Sequence, residues 1–165
     1  MDSLYSVNEA AARFDAFVRD RGRHLTRALV AAYGPTDGAE AAQSALCYAW
    51  EHWARVESMS NPSGYLYRVG QTAARDLRRQ RRPIGHGRIA DLAASGDVVF
   101  EPGLVDALVA LTESQRIAVV LVHGHGYRLI EVAAVLDVSV STLRNHLRRG
   151  LDKLRVSLGA EHVNA

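Results

Sequence analysis

The sequence predicts an all-α protein made of two small helical domains joined by a flexible acidic linker, the C-terminal domain being a helix-turn-helix. Three observations carry that expectation. Apolar residues recur at three- and four-residue steps through most of the chain, the period of helices packed on one side. The two-residue alternation of a half-buried strand is not found. The helical period fails between Pro83 and Pro102, where glycine, proline, small residues and acids take over. The boundaries follow: residues 1–83 form the first domain, 84–102 the linker and 103–165 the second domain.

In the first domain, "SVNE" at Ser6 to Glu9 has the form of a capping box, in which side chains at the two ends satisfy each other's backbone donors. The helix it opens runs to about Tyr33 and buries Phe14, Phe17, Leu25, Leu29 and Tyr33. "YGPTDG" ends it, and Asp37 with Glu40 signals the next cap. Ala42, Leu46, Ala49, Trp50 and Trp53 form the apolar stripe of helix two. Helix three begins at "NPSGY", with Asn61 as cap and Pro62 at the first helical position, where its missing N–H costs nothing. Leu66, Val69, Ala73 and Leu77 face inward, and Pro83 ends the run. A second face carries Arg68, Arg75, Arg79 and Arg82, with Gln71 and Arg78 beside them. Attraction to the helix dipole accounts for about two of these arginines, and the stripe needs another reason.

The segment 84–102 offers one weak apolar cluster at Ile89 and Leu92 and reads as a tether. Beyond it, Leu104 to Leu111 and "TESQRIAVVLVHGHGY" give two helices, the second opened by a capping box of Thr112 and Gln115. The histidines of "HGHG" lack the three or four converging ligands a metal requires, so this segment reads as a glycine-rich turn. Arg128 to Leu136 is a short helix with Leu129, Val132, Ala133 and Leu136 inward. Asp137 in "DVS" suits a left-handed turn position. Ser139 then caps a helix whose Leu143, Leu147, Leu151, Leu154 and Leu158 share one face, with Gly159 as its stop. Ser141, Arg144, Asn145, Arg148 and Arg149 project from its other sides. A short helix, a three-residue turn and a basic amphipathic helix make the motif whose second helix enters the DNA major groove.

Charge distribution agrees. The formal net charge of +2 hides seven arginines against one acid, Asp76, in residues 63–90, and five acids with no Lys or Arg in 91–114. Residues 115–158 return to seven basic groups against three acids. Clustered arginine attracts polyanions because neutralised phosphates release counterions. No Ser/His/Asp set, paired carboxylates or phosphate-binding glycine loop points to an enzyme, and no catalytic residue, metal or cofactor is expected. A single Cys47 excludes an internal disulfide framework, and no apolar run approaches the roughly 20 residues that span a bilayer. "MDSLYSVNEAAARF" lacks the pattern of a signal peptide, so the expected location is the cytoplasm, without membrane insertion.

The run "LTESQRIAVVLVHGHGYRLIEVAAVLDVSVSTLRNHLRRGLDKLR" resembles the C-terminal region of bacterial sigma factors. There "L-x-x-x-x-R" opens a helix, "E-V-A-x-x-L" marks the first helix of the motif and "LRRGLDKLR" belongs to its recognition helix. "YAWEHW", "NPSGYLYRV" and "ARDLRRQRR" resemble the matching promoter-melting region. Two domains and one short linker place the resemblance in the extracytoplasmic-function group. It implies a transcription initiation factor that binds core RNA polymerase, through its beta and beta-prime subunits, and promoter DNA, with an anti-sigma factor as a further partner.

Residue by residue, the resemblance implies that Ser141, Thr142, Arg144, Asn145, Arg148 and Arg149 read the minus-thirty-five element. Glu57, Ser58, Ser60 and Asn61 in the loop "VESMSNPS", with Arg68, Gln71, Arg75, Arg78, Arg79 and Arg82, serve the minus-ten element. Glu40, Gln43 and Ser44 lie on the helix that docks on the polymerase clamp; Ala41 and Ser44 stand where the family commonly has acids. A sigma-like accessory protein and a stand-alone helix-turn-helix regulator are the alternatives; the latter leaves the basic stripe and the acidic linker unexplained.

Overall fold

The computed structural model of the chain describes residues 2–80 and 103–161. The expected linker and Arg82 lie outside the described residues. Among the described residues every regular element is a helix. α1 (Asp2–Phe17) passes through a π-helical turn at Val18–Gly22 into α2 (Arg23–Tyr33). α3 (Pro35–Glu51), the short α4 (Trp53–Glu57) and α5 (Pro62–Gln80) complete the N-terminal half. The C-terminal half holds α6 (Leu104–Val109), α7 (Glu113–Val119) continuing into a π turn at Val120–Gly124, α8 (Leu129–Leu136) and α9 (Val140–Glu161).

Local chemistry fixes most of these ends. Asn61 caps α5 as expected, its Oδ1 accepting from the Gly64 N–H at 3.0 Å. The capping box of Thr112 and Gln115 is present at the start of α7. Asp137 closes α8 in the left-handed region at φ 54°. Ser139 Oγ accepts from the Thr142 N–H at 3.0 Å and opens α9.

Other expectations are corrected. Helix α1 is already formed at Asp2, so "SVNE" lies inside it rather than starting it. Pro35, not the Asp37 cap signal, opens α3, because Gly34 at φ 91° turns the chain and proline suits the first helical position. Gly159 does not stop α9, which runs on to Glu161. Trp50 is 51% exposed rather than part of the inward stripe: the buried face of α3 is Ala41, Ala42, Ala45 and Ala49. Those alanines let α2 and α3 approach closely. At Gly38 a Cβ would fall 2.5 Å from the carbonyl oxygen of Leu29, so only glycine fits that crossing.

The larger core crosses between the halves. Leu25, Leu29, Leu66 and Val56 from the N-terminal half share one buried cluster with Ile117, Leu121, Val132 and Leu143 from the C-terminal half. A smaller cluster joins Ala107, Leu108 and Leu111 to Val119 and Leu154. The leucine stripe of α9 spans both, with Leu147 packed against each. Apolar burial at roughly 25 cal/mol per Å² is what holds the halves together.

Candidate nucleic-acid interface

The stripe that buries Leu143 and Leu154 turns the opposite side of α9 outward. Ser141, Thr142, Arg144, Asn145, Arg148 and Arg149 are all exposed there. Ser139 Oγ lies 2.8 Å from both Ser141 Oγ and Thr142 Oγ1, a cluster of hydroxyls at the helix N-terminus. Arg148 lies 3.8 Å from Asp152, which also pairs with Arg155 at 3.2 Å. Exposed pairs of this kind are worth about 0–1 kcal/mol and give way readily to a phosphate. Gly150 sits on the inner side, where its missing Cβ leaves room for Val119.

The residues expected at the minus-ten element divide into two sets. Ser60, Arg75 and Arg79 are exposed, Arg79 with Asp76 at 3.3 Å. Ser58 donates to the Arg55 carbonyl at 2.8 Å. Glu57 is paired with Arg13 at 2.9 Å, and that guanidinium holds its carboxyl below the ordinary range. Arg78 donates to the Tyr33 carbonyl at 3.2 Å and lies over the Tyr33 ring, which ties it to the end of α2. Asn61, Arg68 and Gln71 instead meet the C-terminal half. Asn61 Nδ2 donates to the Ala134 carbonyl at 2.8 Å and to Asp137 Oδ1 at 3.0 Å. Arg68 is ion-paired with Asp137.

Gln71 belongs to a group that the sequence did not reveal. Glu113, at the start of α7, accepts hydrogen bonds from Tyr33 at 3.0 Å, Tyr67 at 2.8 Å and Gln71 at 2.6 Å. Burial first, and then the Glu113 charge, pushes the Tyr33 hydroxyl up to about 12 and raises Tyr67 further. Arg116, one turn on, donates to the carbonyls of Ala31 at 2.8 Å and Ala32 at 3.0 Å. Burial lowers its pKa. At the far side Arg27 donates to Tyr127 Oη at 2.6 Å, and burial, then Arg27, lowers His125.

Glu40, Gln43 and Ser44 form an exposed patch on α3, Ser44 donating to the Glu40 carbonyl at 3.0 Å. Ala41, beside them in sequence, is fully buried. Phe14, Leu46, Cys47 and Trp50 line an adjoining groove. No group of three or more potential metal ligands converges among the described residues, and no helix there is long and apolar enough to cross a membrane.

Residues 103–154 match the family model for sigma-70, region 4. The chain is 29% identical over 160 residues to the RNA polymerase sigma-E factor of Streptomyces coelicolor, covering 92% of this chain and 89% of that one. It is 27% identical over 158 residues to the sigma-E factor of Streptomyces avermitilis, covering 92% and 88%. The solved structure of CnrH in complex with the cytosolic domain of CnrY aligns with a TM-score of 0.58 and 26% identity, covering 93% of this chain and 94% of that one. Over about nine-tenths of its length the chain is similar to sigma factors. The sigma factor RpoE of Bartonella quintana, solved in complex with the anti-sigma factor NepR, shares the fold at a TM-score of 0.55 and 18% identity, covering 89% and 97%. The region matched to sigma-70, region 4 contains α6 to α8 and the outward face of α9.

Proposed function

We propose that this chain is an extracytoplasmic-function sigma factor that binds core RNA polymerase and directs it to specific promoters. Residues 1–83 act as region 2 on the minus-ten element and residues 103–165 as region 4 on the minus-thirty-five element. The outward face of α9 carries this reading: six polar and basic side chains turned away from a leucine stripe, at the start of a helix that follows a left-handed turn. Arg144 and Arg148 read base edges, where a bidentate arginine–guanine pair discriminates by about 1–3 kcal/mol. Ser141, Thr142, Asn145 and Arg149 complete the face. On the other half, Ser60, Asn61 and the arginines of α5 hold the opened strand, while Glu40, Gln43 and Ser44 on α3 meet the beta-prime subunit. An anti-sigma factor is a fitting second partner, since both structural neighbours were solved with a bound protein.

Co-purification with core polymerase tests the class. The chain should be retained, and the holoenzyme should select a promoter from a randomised pool. Arg144→Ala and Arg148→Ala should each reduce the preference of that holoenzyme for the selected upstream element over a scrambled one by about tenfold, with the thermal transition nearly unmoved. Equal loss on both sequences would make these residues phosphate contacts and remove the base-reading role.

A further inference from the structure

We propose that Arg13 and Glu57 act as one positioning pair, a two-point clasp between α1 and α4 that sets the loop 58–61 for reading the opened strand, with Glu57 itself making no contact to DNA. The inference rests on the assignment of that loop to the minus-ten element. Arg13 Nε donates to Glu57 Oε2 at 2.9 Å, and a terminal nitrogen of the same guanidinium donates to Oε1 at 3.2 Å. Both carboxylate oxygens thus face one guanidinium, a geometry that fixes orientation as well as distance.

The loop needs such a hold because the helix before it is short. α4 has 5 residues, too few to keep a direction of its own, and His52 at φ −120° breaks it from α3. Its inner side, Trp53 and Val56, is buried, and the Trp53 ring lies 5.3 Å from both Phe14 and Phe17 of α1. Arg13 precedes Phe14, so an apolar contact and a two-point polar contact join the same two helices side by side. Stacked rings tolerate sliding, whereas the clasp does not. At the far end of the loop, Asn61 Oδ1 accepts from the Gly64 N–H at 3.0 Å and fixes the entry to α5. Between these anchors Ser58 is turned to the Arg55 carbonyl at 2.8 Å. Ser60 is exposed, with no side-chain hydrogen bond among the described residues. Ser60 is therefore the hydroxyl the loop offers to a base, and the pair behind it aims that hydroxyl. A partly exposed ion pair contributes little to fold stability, so its effect lies in placement rather than in melting.

The test uses the holoenzyme and compares the promoter it selects with versions scrambled at the minus-ten or at the minus-thirty-five element. Arg13→Ala should lower the minus-ten preference roughly three- to fivefold. The minus-thirty-five preference should stay within about twofold of the wild type, and the thermal transition should hardly move. Glu57→Ala should behave alike. Arg13→Glu should lose more, since two carboxylates then face each other. The exchange of Arg13→Glu with Glu57→Arg should restore most of the preference, which only a direct pair can do.

A loss with Glu57→Ala and none with Arg13→Ala would make Glu57 a direct reader and overturn the pair. Single losses that the exchange leaves unrestored would overturn it too. So would an Arg13→Ala variant that weakens selected and scrambled DNA equally, since Arg13 would then be a phosphate contact. Capture of core polymerase by the wild type is measured in parallel. Its absence, or a wild type indifferent to the minus-ten element, would overturn the initiation-factor reading itself. Capture with a minus-ten preference that no variant changes would overturn the pair alone.

Discussion

Arg116→Ala should lower the stability of the chain by about 2–4 kcal/mol, the largest effect expected of any single polar side chain here. The guanidinium donates to five carbonyls: Ala31 and Ala32 at the end of α2, and Leu108, Val109 and Leu111 around the end of α6. These carbonyls lie at or just beyond the ends of α2 and α6, and Arg116 reaches them from within a half-buried site. A charged donor contributes about 1.5–3 kcal/mol per hydrogen bond, discounted here because some of the carbonyls regain water once the side chain is gone. Arg116→Lys should recover little, since an ammonium cannot span acceptors on two helices as the planar fork does. Urea unfolding followed by circular dichroism measures both. A loss below about 1 kcal/mol in the alanine variant would mean that the Arg116 hydrogen bonds contribute little to joining α7 to the N-terminal half.

The same residue shows how much could be read beforehand. The spacing of Leu111 and Arg116 was visible as a motif, but its purpose was not, because two of the acceptors, the carbonyls of Ala31 and Ala32, are backbone groups more than eighty positions upstream. Helix identity, the Asn61, Thr112 and Ser139 caps and the left-handed Asp137 were legible because each depends on residues within four positions of one another. The outward face of α9 was legible for the same reason: one period separates it from the leucines. Trp50 was misplaced because period alone cannot tell an inward aromatic from one at the edge of a surface groove. Glu113 stood in the sequence as one acid in an acidic stretch. Only the crossing of α2, α5 and α7 brings Tyr33, Tyr67 and Gln71 around it. The sharing of one core by both halves was equally hidden, since an amphipathic helix does not name the partner that covers it.

That shared core makes Leu143 the most consequential leucine of α9. It is fully buried, near the start of α9, and belongs to the larger cluster with Leu25, Leu29 and Leu66, whereas Leu154 belongs to the smaller cluster under α6. Leu143→Ala should cost about 2–5 kcal/mol, the transfer free energy of the lost side chain plus the cavity it leaves. Leu143→Met, which nearly conserves volume, should cost less than about 1.5 kcal/mol.

The two ends of α9 should then separate in function. Arg144 and Arg148 lie within about one turn and a half of Leu143, so loosening this end blurs the placement of the two side chains proposed to read bases while leaving their charge in place. The Leu143→Ala holoenzyme should therefore keep salt-dependent binding to scrambled DNA and lose its preference for the selected upstream element. Leu154→Ala should lower stability by a comparable amount and keep that preference, because the smaller cluster anchors the far end of the helix. Thermal unfolding and competition between selected and scrambled promoters, both measured below the melting temperature of each variant, distinguish the two. Equal loss of preference in both variants would show that α9 is positioned as one rigid rod, and that no particular leucine governs its reading end.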